Sequence, residues 1–438
     1  MNDFARFVTE NENADTTRLL LSYKGGDGFD IRLAASTIEV RRKIRKKVPS
    51  WYSVPELAFP SGLSAEQCSS EQTALYKAGI VSGLFPGGKA RIADLTGGLG
   101  VDTWAFAGVV SAVLYNEMDR GLARAAEKNF RALGRENISV VSMELVPENE
   151  DGTAKDPGLA GGTGERETVR GSVREILGDF RPDVIFLDPA RRGEGGRKVF
   201  LPEDCSPDVL QLSGELFRQS RYILLKMSPM ADISLLLKRL GTGCREVHIL
   251  AASGECKEVV ILMDRDFCGE CIFTVNSGGA SLVFPMSGIA DSVPEYVGSR
   301  EEIREGSVLY EPGKALMKAG AFNLLCPLFH IRKLGRFTHY YLCGSAGEVS
   351  GRLPEELADN GKFFLVKEVL PLNKRSMREA GRKYGKGEVT ARNLKMDSET
   401  LRSKLGIAPG GNLHFFGLQC LCGPAPENLL LVTEPLLP

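Results

Sequence analysis

An aspartate followed by a glycine-rich turn is the first group of residues that could bind a ligand. The segment 94–100 (DLTGGLG) comes directly after an apolar run at residues 90–94 that predicts a strand. Glycines in such a turn let the backbone approach a ligand closely. A nucleotide-phosphate loop would carry a lysine after its last glycine, and none follows here. The carboxylate of Asp94 would repel a pyrophosphate but would suit a cationic ligand that bears an amine and a sulfonium.

A second acidic residue, Glu117, ends the next predicted strand, at residues 111–117. An acid at the tip of the second strand accepts hydrogen bonds from the two hydroxyls of a ribose. Met118, the next residue, is expected to pack on an adenine face. The alternative is that Glu117 caps a helix that begins at Arg120. Together with Asp94, Glu117 predicts a nucleoside site.

The fourth predicted strand, at residues 183–188, ends in Asp188 and is followed by Pro-Ala-Arg-Arg. The carboxyl end of this strand should lie beside the point where ligands bind in such sheets. We therefore expect Asp188 to be catalytic, accepting a proton from a nucleophile or orienting it; the alternative is a helix N-cap. Arg191 and Arg192 are predicted to contact substrate phosphates, since arginine offers a bidentate fork. Surface pairing with nearby glutamates is the alternative for both arginines.

Seven short apolar strands, most of them separated by helical stretches, must position these residues. This alternation predicts a parallel sheet covered on both faces. The last two strands are joined by a loop around residues 252–254, which is too short for a crossover and permits antiparallel pairing. The predicted fold class is therefore α/β, with a seven-stranded doubly wound Rossmann-like sheet, an N-terminal helical region and small C-terminal α+β domains. The strands are predicted at residues 90–94, 111–117, 138–143, 183–188, 221–226, 245–250 and 258–263.

These features resemble class I S-adenosylmethionine-dependent methyltransferases. The sequence is most similar to a bacterial group that carries a THUMP-like C-terminal domain. The resemblance implies S-adenosylmethionine as the cofactor, with Asp94 near its methionine amine and Glu117 on its ribose. The segments that carry the resemblance to the bacterial group are 66–71 (EQCSSE), 188–193 (DPARRG), 310–312 (YEP), 318–322 (KAGAF) and the glycines at 410–411.

The resemblance also implies further cofactor contacts. Members of the class often place an acidic residue after the third strand, against the adenine amine, and the spacing puts Ser172 at that position. The complete predicted cofactor-binding set is Asp94, Thr96, Gly97, Gly98, Gly100, Asp102, Glu117, Met118 and Ser172.

The acceptor side indicates which atom receives the methyl group. Nucleic-acid methyltransferases that act on amines carry Pro-Pro and an aromatic residue where Ala190 and Arg191 stand here. Uridine C5 methyltransferases need a cysteine nucleophile after the fifth strand. This sequence has Lys226-Met-Ser-Pro there. We therefore predict transfer to a nitrogen or oxygen atom, with Lys226 as a further substrate-binding residue.

Two basic stretches bear on the partner. Residues 362–404 hold twelve lysines and arginines against five acids. Such a patch predicts RNA binding by counterion release, and the alternative is a solvated surface. The run at residues 41–47 (RRKIRKK) has the same two interpretations.

Composition limits the remaining possibilities. The chain has 438 residues, a net charge of −1 and ten scattered cysteines, without a signal peptide or a membrane-spanning apolar run. This predicts a cytoplasmic protein with no membrane partner, and thiols rather than disulfides. A zinc site formed by the cysteine pairs 268/271 and 420/422 is the alternative to the expectation of no metal.

Four domains are predicted, at residues 1–80, 81–265, 266–330 and 331–438, of which the second binds the cofactor and the last is THUMP-like. The predicted function is methyl transfer to RNA. Two alternatives are a methyltransferase for a small molecule or a protein, and a non-catalytic RNA-binding protein with a vestigial cofactor site.

Overall fold

The protein, seen here as a computed structural model, is described for residues 2–23, 25, 28–149, 153–154, 168–191, 205–349, 354–421 and 425–436. The chain forms two compact units. Unit 1 comprises Met1–Arg245 and Val259–Gly269, and unit 2 comprises Glu246–Glu258 and Glu270–Pro438. The glycine-containing stretch at residues 149–168, between the third and fourth predicted strands, lies almost entirely outside the described residues.

Unit 1 starts with helices that precede its first strand and continues with helices between its strands. The first group is α1 (Asp3–Glu10), α2 (Thr16–Ser22), α3 (Ile31–Ile44), α4 (Pro49–Tyr52), α5 (Gly62–Gln67) and α6 (Glu71–Leu84). The second group is α7 (Val101–Ala107), α8 (Arg120–Ala132), α9 (Val173–Leu177), α10 (Val209–Gln219) and α11 (Ile233–Leu240).

The strands of the main sheet alternate with these helices, and two short strand pairs lie outside that sheet. In chain order they are β1 (Arg91–Asp94), β2 (Ala112–Asn116), β3 (Ile138–Val141), β4 (Glu144–Leu145), β5 (Arg170–Gly171), β6 (Val184–Leu187), β7 (Ala190–Arg191), β8 (Cys205–Ser206), β9 (Tyr222–Met227), β10 (Cys244–Ala252), β11 (Glu255–Asp264), β12 (Ile272–Asn276) and β13 (Leu282–Pro285).

The strand order of the main sheet is β13-β12-β10-β11-β9-β6-β1-β2-β3. Strands β3, β2, β1, β6 and β9 are parallel to one another, and β11 is antiparallel to β9. These strands and β10 form the predicted seven-stranded sheet, whose antiparallel finish is confirmed. Strands β12 and β13, which fall in the predicted domain 266–330, pair with each other, and β12 also pairs with β10.

The parallel strands are apolar because helices cover both faces of the sheet. Every residue of β6 is buried, and so is all of β9 after Tyr222. The register places Asp94 opposite Tyr115 of β2 and Phe186 of β6. The ends of these neighbouring strands therefore lie side by side.

The N-terminal helices use most of the basic run 41–47 internally. Arg41 is buried and donates to the carbonyl oxygens of Tyr52 and Val54. Lys43 pairs with Glu66 at 2.6 Å. The run therefore holds the helical region together. This role differs from both predicted alternatives, RNA binding and a solvated surface.

A short break divides the last two helices before the sheet. Helix α5 ends before Cys68, and α6 begins after Ser70, whose side chain accepts a hydrogen bond from the Thr73 amide. The break leaves Cys68 and Ser69 in a short non-helical link.

Unit 2 contains a second, seven-stranded sheet with the order β15-β16-β14-β17-β20-β19-β18. Helices α17 and α18 pack through Met377, Ala380 and Leu401 into a core with Phe415 and Val432. The elements are α12 (Met286–Asp291), a 3-10 turn (Arg300–Glu302), β14 (Ser307–Pro312), α13 (Lys314–Ala319), α14 (Leu325–Phe329), β15 (Arg332–Lys333), β16 (Tyr341–Ser345), α15 (Ala346–Val349), α16 (Glu355–Asp359), β17 (Gly361–Pro371), α17 (Lys374–Tyr384), β18 (Glu388–Arg392), α18 (Ser398–Leu405), β19 (His414–Cys420) and β20 (Glu427–Leu436).

Two further observations concern predictions from composition. Within the described ranges, no helix has the length and apolar character needed to cross a membrane. Cys268 and Cys271 are free thiols, whereas Cys420 is disulfide-bonded, contrary to the expectation of thiols. Cys422 lies outside the described residues.

Candidate functional site

Four of the predicted site residues lie at the carboxyl ends of adjacent parallel strands in unit 1. Asp94 ends β1, Glu117 follows β2, Asp188 follows β6, and Lys226 is the next-to-last residue of β9. The order of these strands is β9-β6-β1-β2. Because parallel strands end at one edge of the sheet, three carboxylates and one ammonium are grouped along that edge, where α/β proteins bind ligands.

The glycines of the turn after β1 have two different roles. A Cβ on Gly97 would lie 2.1 Å from the Tyr115 ring, and one on Gly100 would lie 2.6 Å from Phe130. These two glycines therefore let the turn pack on β2 and α8. A Cβ on Gly98 would meet nothing nearer than 4.0 Å, so Gly98 is the glycine that faces open space.

Asp94 is 1% exposed and already accepts two hydrogen bonds. Its Oδ1 accepts from the Thr96 amide at 3.1 Å, and its Oδ2 accepts from the Thr103 hydroxyl at 2.5 Å. Burial raises the pKa of Asp94 to about 7, and the nearby carboxylates of Asp102 and Asp188 act in the same direction. This carboxyl group changes its charge near neutral pH and would favour a bound cation.

Glu117 holds the glycine turn against the end of β2. Its Oε2 accepts from the Gly98 amide and its Oε1 from the Asp119 amide, both at 2.8 Å. Burial raises the pKa of Glu117, while these amides oppose the shift. The N-cap of α8 is Asp119, whose side chain accepts from the Leu122 amide, so the capping alternative for Glu117 is wrong. Met118 is 53% exposed beside it, open to an aromatic ligand.

Asn116, which the sequence analysis did not single out, fixes the same corner. Its side-chain amide donates to the carbonyl oxygens of Leu95 and Met143, and its Oδ1 accepts from the Met143 amide. Asn116 thereby ties the end of β2 to the turn after β1 and to the segment after β3. A polar residue at the end of an otherwise apolar strand was the available signal.

Asp188 connects the turn to the fifth parallel strand. Its backbone amide donates to the Thr96 hydroxyl at 2.6 Å, and its Oδ2 accepts from Lys226 Nζ at 2.5 Å. Burial raises the pKa of Asp188, and the charge of Lys226 opposes the shift. The Asp188 side chain is 34% exposed and that of Lys226 only 10%. The segment after Asp188 forms strand β7, so the helix-cap alternative for Asp188 is also wrong.

Two residues of the predicted cofactor set have other partners. Ser172 is fully buried and caps α9, in a capping box with Glu175. The structure therefore gives Ser172 a capping role. Asp102, in the first turn of α7, contacts Lys77 and Ser69 of the N-terminal region.

Of the two predicted arginines, Arg191 is among the described residues and Arg192 is not. Arg191 belongs to β7, which pairs with β8, and nothing is described of its side chain. Within the portions of the chain that are described, no three potential ligand side chains gather around a metal position.

Comparison with known proteins finds matches to residues of both units. A THUMP domain-like family matches residues 361–435, and a ferredoxin-like domain family matches residues 309–347. No curated protein matches the sequence. A crystal structure of a proposed methyltransferase from Porphyromonas gingivalis W83 matches this chain with 26% identity and a TM-score of 0.77. The match covers 99% of this chain and 97% of the solved chain. The chain combines a class I methyltransferase fold with a THUMP-like C-terminal domain. The predicted resemblance is confirmed.

Two other solved structures match about half of this chain. One is a proposed RNA methyltransferase from Pyrococcus horikoshii, with 13% identity over 49% of this chain and 97% of its own, at a TM-score of 0.31. The other is a 16S rRNA methyltransferase of T. thermophilus in complex with AdoMet and guanosine, with 16% identity over 46% of this chain and 44% of its own, at a TM-score of 0.29. Scores this low support no inference about this chain.

Proposed function

We propose that this protein is an S-adenosylmethionine-dependent methyltransferase. The observation that carries the proposal is the set of three acids, Asp94, Glu117 and Asp188, at the ends of β1, β2 and β6. Each lies where the class I fold places a cofactor or acceptor group. The Porphyromonas gingivalis structure, which matches nearly the whole chain, supports the same activity.

The residues present fit this cofactor. Asp94 offers a buried carboxylate to the methionine amine, and Glu117 offers its two oxygens to the ribose hydroxyls. Gly98 presents a face on which a Cβ would meet no neighbour, and Met118 presents an exposed thioether. When bound, S-adenosylmethionine supplies a methyl group on a positively charged sulfur.

Asp188 is the residue we assign to the methyl acceptor. Lys226 donates to its Oδ2, which leaves Oδ1 to accept a hydrogen bond from an acceptor N–H or O–H. Oδ1 would take the proton that the acceptor gives up when its lone pair replaces the cofactor sulfur at the methyl carbon. Lys226 holds the carboxylate in one orientation during this step. We therefore propose direct transfer to nitrogen or oxygen.

We propose RNA as the substrate, and helix α17 of unit 2 as part of its docking surface. Lys374, Arg378 and Arg382 recur every fourth residue and are exposed, on the side of α17 opposite to its buried residues. Within the described part of the chain these three cations have no carboxylate partner, and four residues of helix rise about 6 Å. Other cations of the segment are ion-paired: Arg375 with Glu379, Lys383 with Glu368, and Arg402 with Glu388. The unpaired stripe supports a phosphate-binding role for α17.

Transfer of tritium from labelled S-adenosylmethionine to total RNA from a strain lacking the gene tests the proposal. We expect label in RNA with the wild-type protein and none with Asp188→Asn. The matched control is RNA from the parent strain, in which the target positions are already methylated. Label in protein or small molecules, with none in RNA, would support the alternative of a methyltransferase that acts on a protein or a small molecule. A cytoplasmic location and the four predicted domains remain part of the proposal.

A further inference from the structure

A buried lysine in unit 1 is not yet assigned a role in the proposed reaction. Lys77 belongs to α6, and its side chain has no solvent exposure. Its neighbours on the buried face of the helix are Thr73, Ala74, Ala78 and Val81. Burying an ammonium group is costly unless an opposite charge compensates it. A lysine in the middle of this face therefore requires a partner.

Asp102 is the carboxylate that pairs with Lys77 among the described residues. Lys77 Nζ lies 3.0 Å from Asp102 Oδ1 and donates to the Ser69 hydroxyl, also at 3.0 Å. Ser69 in turn donates to Asp102 Oδ2 at 2.7 Å. These three side chains form a closed triad that joins α6, the link before it and the first turn of α7. Burial acts to raise the pKa of Asp102, but the charges of Lys77 and Lys226 outweigh it and lower the pKa.

The triad belongs to the same electrostatic cluster as the acceptor carboxylate. Asp188 is influenced by Lys226 of β9, Asp102 of α7 and Lys77 of α6, and Asp94 of β1 feels the charge of Asp188 in turn. Among the described residues, the cluster contains three acids and two lysines, with ion pairs between Lys77 and Asp102 and between Lys226 and Asp188. Lys226 acts on both Asp102 and Asp188, and it donates a hydrogen bond to Asp188.

We infer that Lys77 is a positioning residue for the acceptor carboxylate, because it neutralises Asp102 and so leaves Lys226 to hold Asp188. Without Lys77, the buried Asp102 would compete for Lys226, and Asp188 would lose both its partner and part of the positive field that keeps it ionised. The inference rests on the proposed methyl transfer and assigns to that reaction a residue that precedes the whole sheet.

Cofactor binding and methyl transfer should respond differently to the loss of Lys77. Removing one positive charge makes the site more negative, which does not weaken the binding of a cationic cofactor. The rate of transfer should fall, because Asp188 then ionises at higher pH. A role of Lys77 in folding alone would lower binding and transfer together.

The experiment compares the wild type with Lys77→Met, with the double variant Lys77→Met/Asp102→Asn, and with Lys128→Met on the exposed side of α8 as the matched control. S-adenosylmethionine affinity is measured by calorimetry, and the single-turnover rate on total RNA from the deletion strain is measured from pH 5.5 to 8.5. For Lys77→Met we expect affinity equal to or tighter than wild type. The acid limb of its rate should move to higher pH by about one unit, so that transfer at a given pH on that limb falls about tenfold. The double variant should regain most of the rate, since no carboxylate then competes for Lys226.

Each other outcome is decisive. A wild-type rate profile in Lys77→Met, or a loss that Asp102→Asn does not restore, would overturn the role of Lys77. If Lys77→Met does not fold, the double variant decides, and near-wild-type transfer by it supports the inference while its inactivity refutes it. If the wild type itself neither binds the cofactor nor labels RNA, the proposed function has failed instead.

Discussion

Binding of S-adenosylmethionine should weaken as the pH falls through 7, because Asp94 loses its charge there. Asp94 is buried at the end of β1, and its pKa is raised to about 7. A carboxylate whose pKa is raised by burial is neutral below that pH and ionised above it. Only the ionised form attracts the amine and sulfonium charges of the cofactor. Affinity therefore rises with pH, and binding of the cation draws the proton off Asp94.

The magnitude follows from the fraction of Asp94 that is ionised. If the cofactor binds only the ionised form, the apparent Kd scales as one plus the ratio of protonated to ionised carboxyl. With a pKa of about 7, the Kd at pH 6 is about eightfold weaker than at pH 7.5. Calorimetric titration at four pH values in this range, at constant ionic strength, measures the effect.

Asp94→Asn separates Asp94 from Glu117 and Asp188, whose pKa values are also raised. The amide keeps the shape and can accept a hydrogen bond, but it carries no charge. We expect its affinity at pH 7.5 to be about tenfold weaker than that of the wild type, through loss of one charged hydrogen bond. Its remaining pH dependence should be small. A wild-type slope preserved in Asp94→Asn would refute the reasoning.

Three further results are expected. Asp188→Asn should lower the single-turnover rate by about 100-fold or more while the cofactor Kd changes less than a few-fold, and undiminished turnover would remove Asp188 from the reaction. Incubation with 5-fluorouridine-substituted RNA and cofactor should leave no denaturant-stable complex. Cys68 is a thiol on which the charge of Lys226 acts, but burial raises its pKa and so disfavours the reactive thiolate. A complex that Cys68→Ser abolishes would contradict direct transfer. Neutralising the stripe on α17 should reduce the log–log salt slope of RNA binding by about 2, whereas neutralising an equal number of ion-paired cations should change it less. Equal changes would argue against docking on α17; the stripe variant replaces Lys374, Arg378 and Arg382 by Ala, and the control replaces Arg375, Lys383 and Arg402 by Ala.

The acids at the strand ends could be predicted because they depend on a short-range rule. Each follows an apolar strand directly, and parallel strands end at one edge of the sheet. The order of elements and the short connection at residues 252–254 then gave the sheet its methyltransferase outline. The packing that requires two of the glycines could not be predicted, since Tyr115 and Phe130 approach Gly97 and Gly100 from elsewhere in the fold.

Ser172 shows what a spacing argument leaves out. Its predicted place against the adenine was counted across residues 149–168, which lie almost entirely outside the described residues. A local signal was available, because Ser172 and Glu175 have the spacing of a capping box, and that is how the structure uses them. A local motif that satisfies the backbone outweighs a distant alignment.

The partners of the basic run at 41–47 and of the buried Lys77 could not be predicted, for a related reason. A charged side chain in sequence gives no sign of whether its partner is water, a carbonyl oxygen or a carboxylate far along the chain. Arg41 finds the carbonyl oxygens of Tyr52 and Val54, and Lys77 finds Asp102. The partners are set by tertiary packing, so neither could be read from composition.

The position of Lys77 changes how the N-terminal helices should be regarded. Asp102 comes directly after the glycine turn and is nearly buried, and both groups that hold it, Lys77 and Ser69, precede β1. Without the first 80 residues Asp102 would lose Lys77, and the other lysine that acts on it, Lys226, holds Asp188. Breaking a buried ion pair by removing one partner typically costs about 3–5 kcal/mol. The helices before the sheet therefore complete the charge balance of the site as well as covering it, and we expect the methyltransferase unit to require them for transfer.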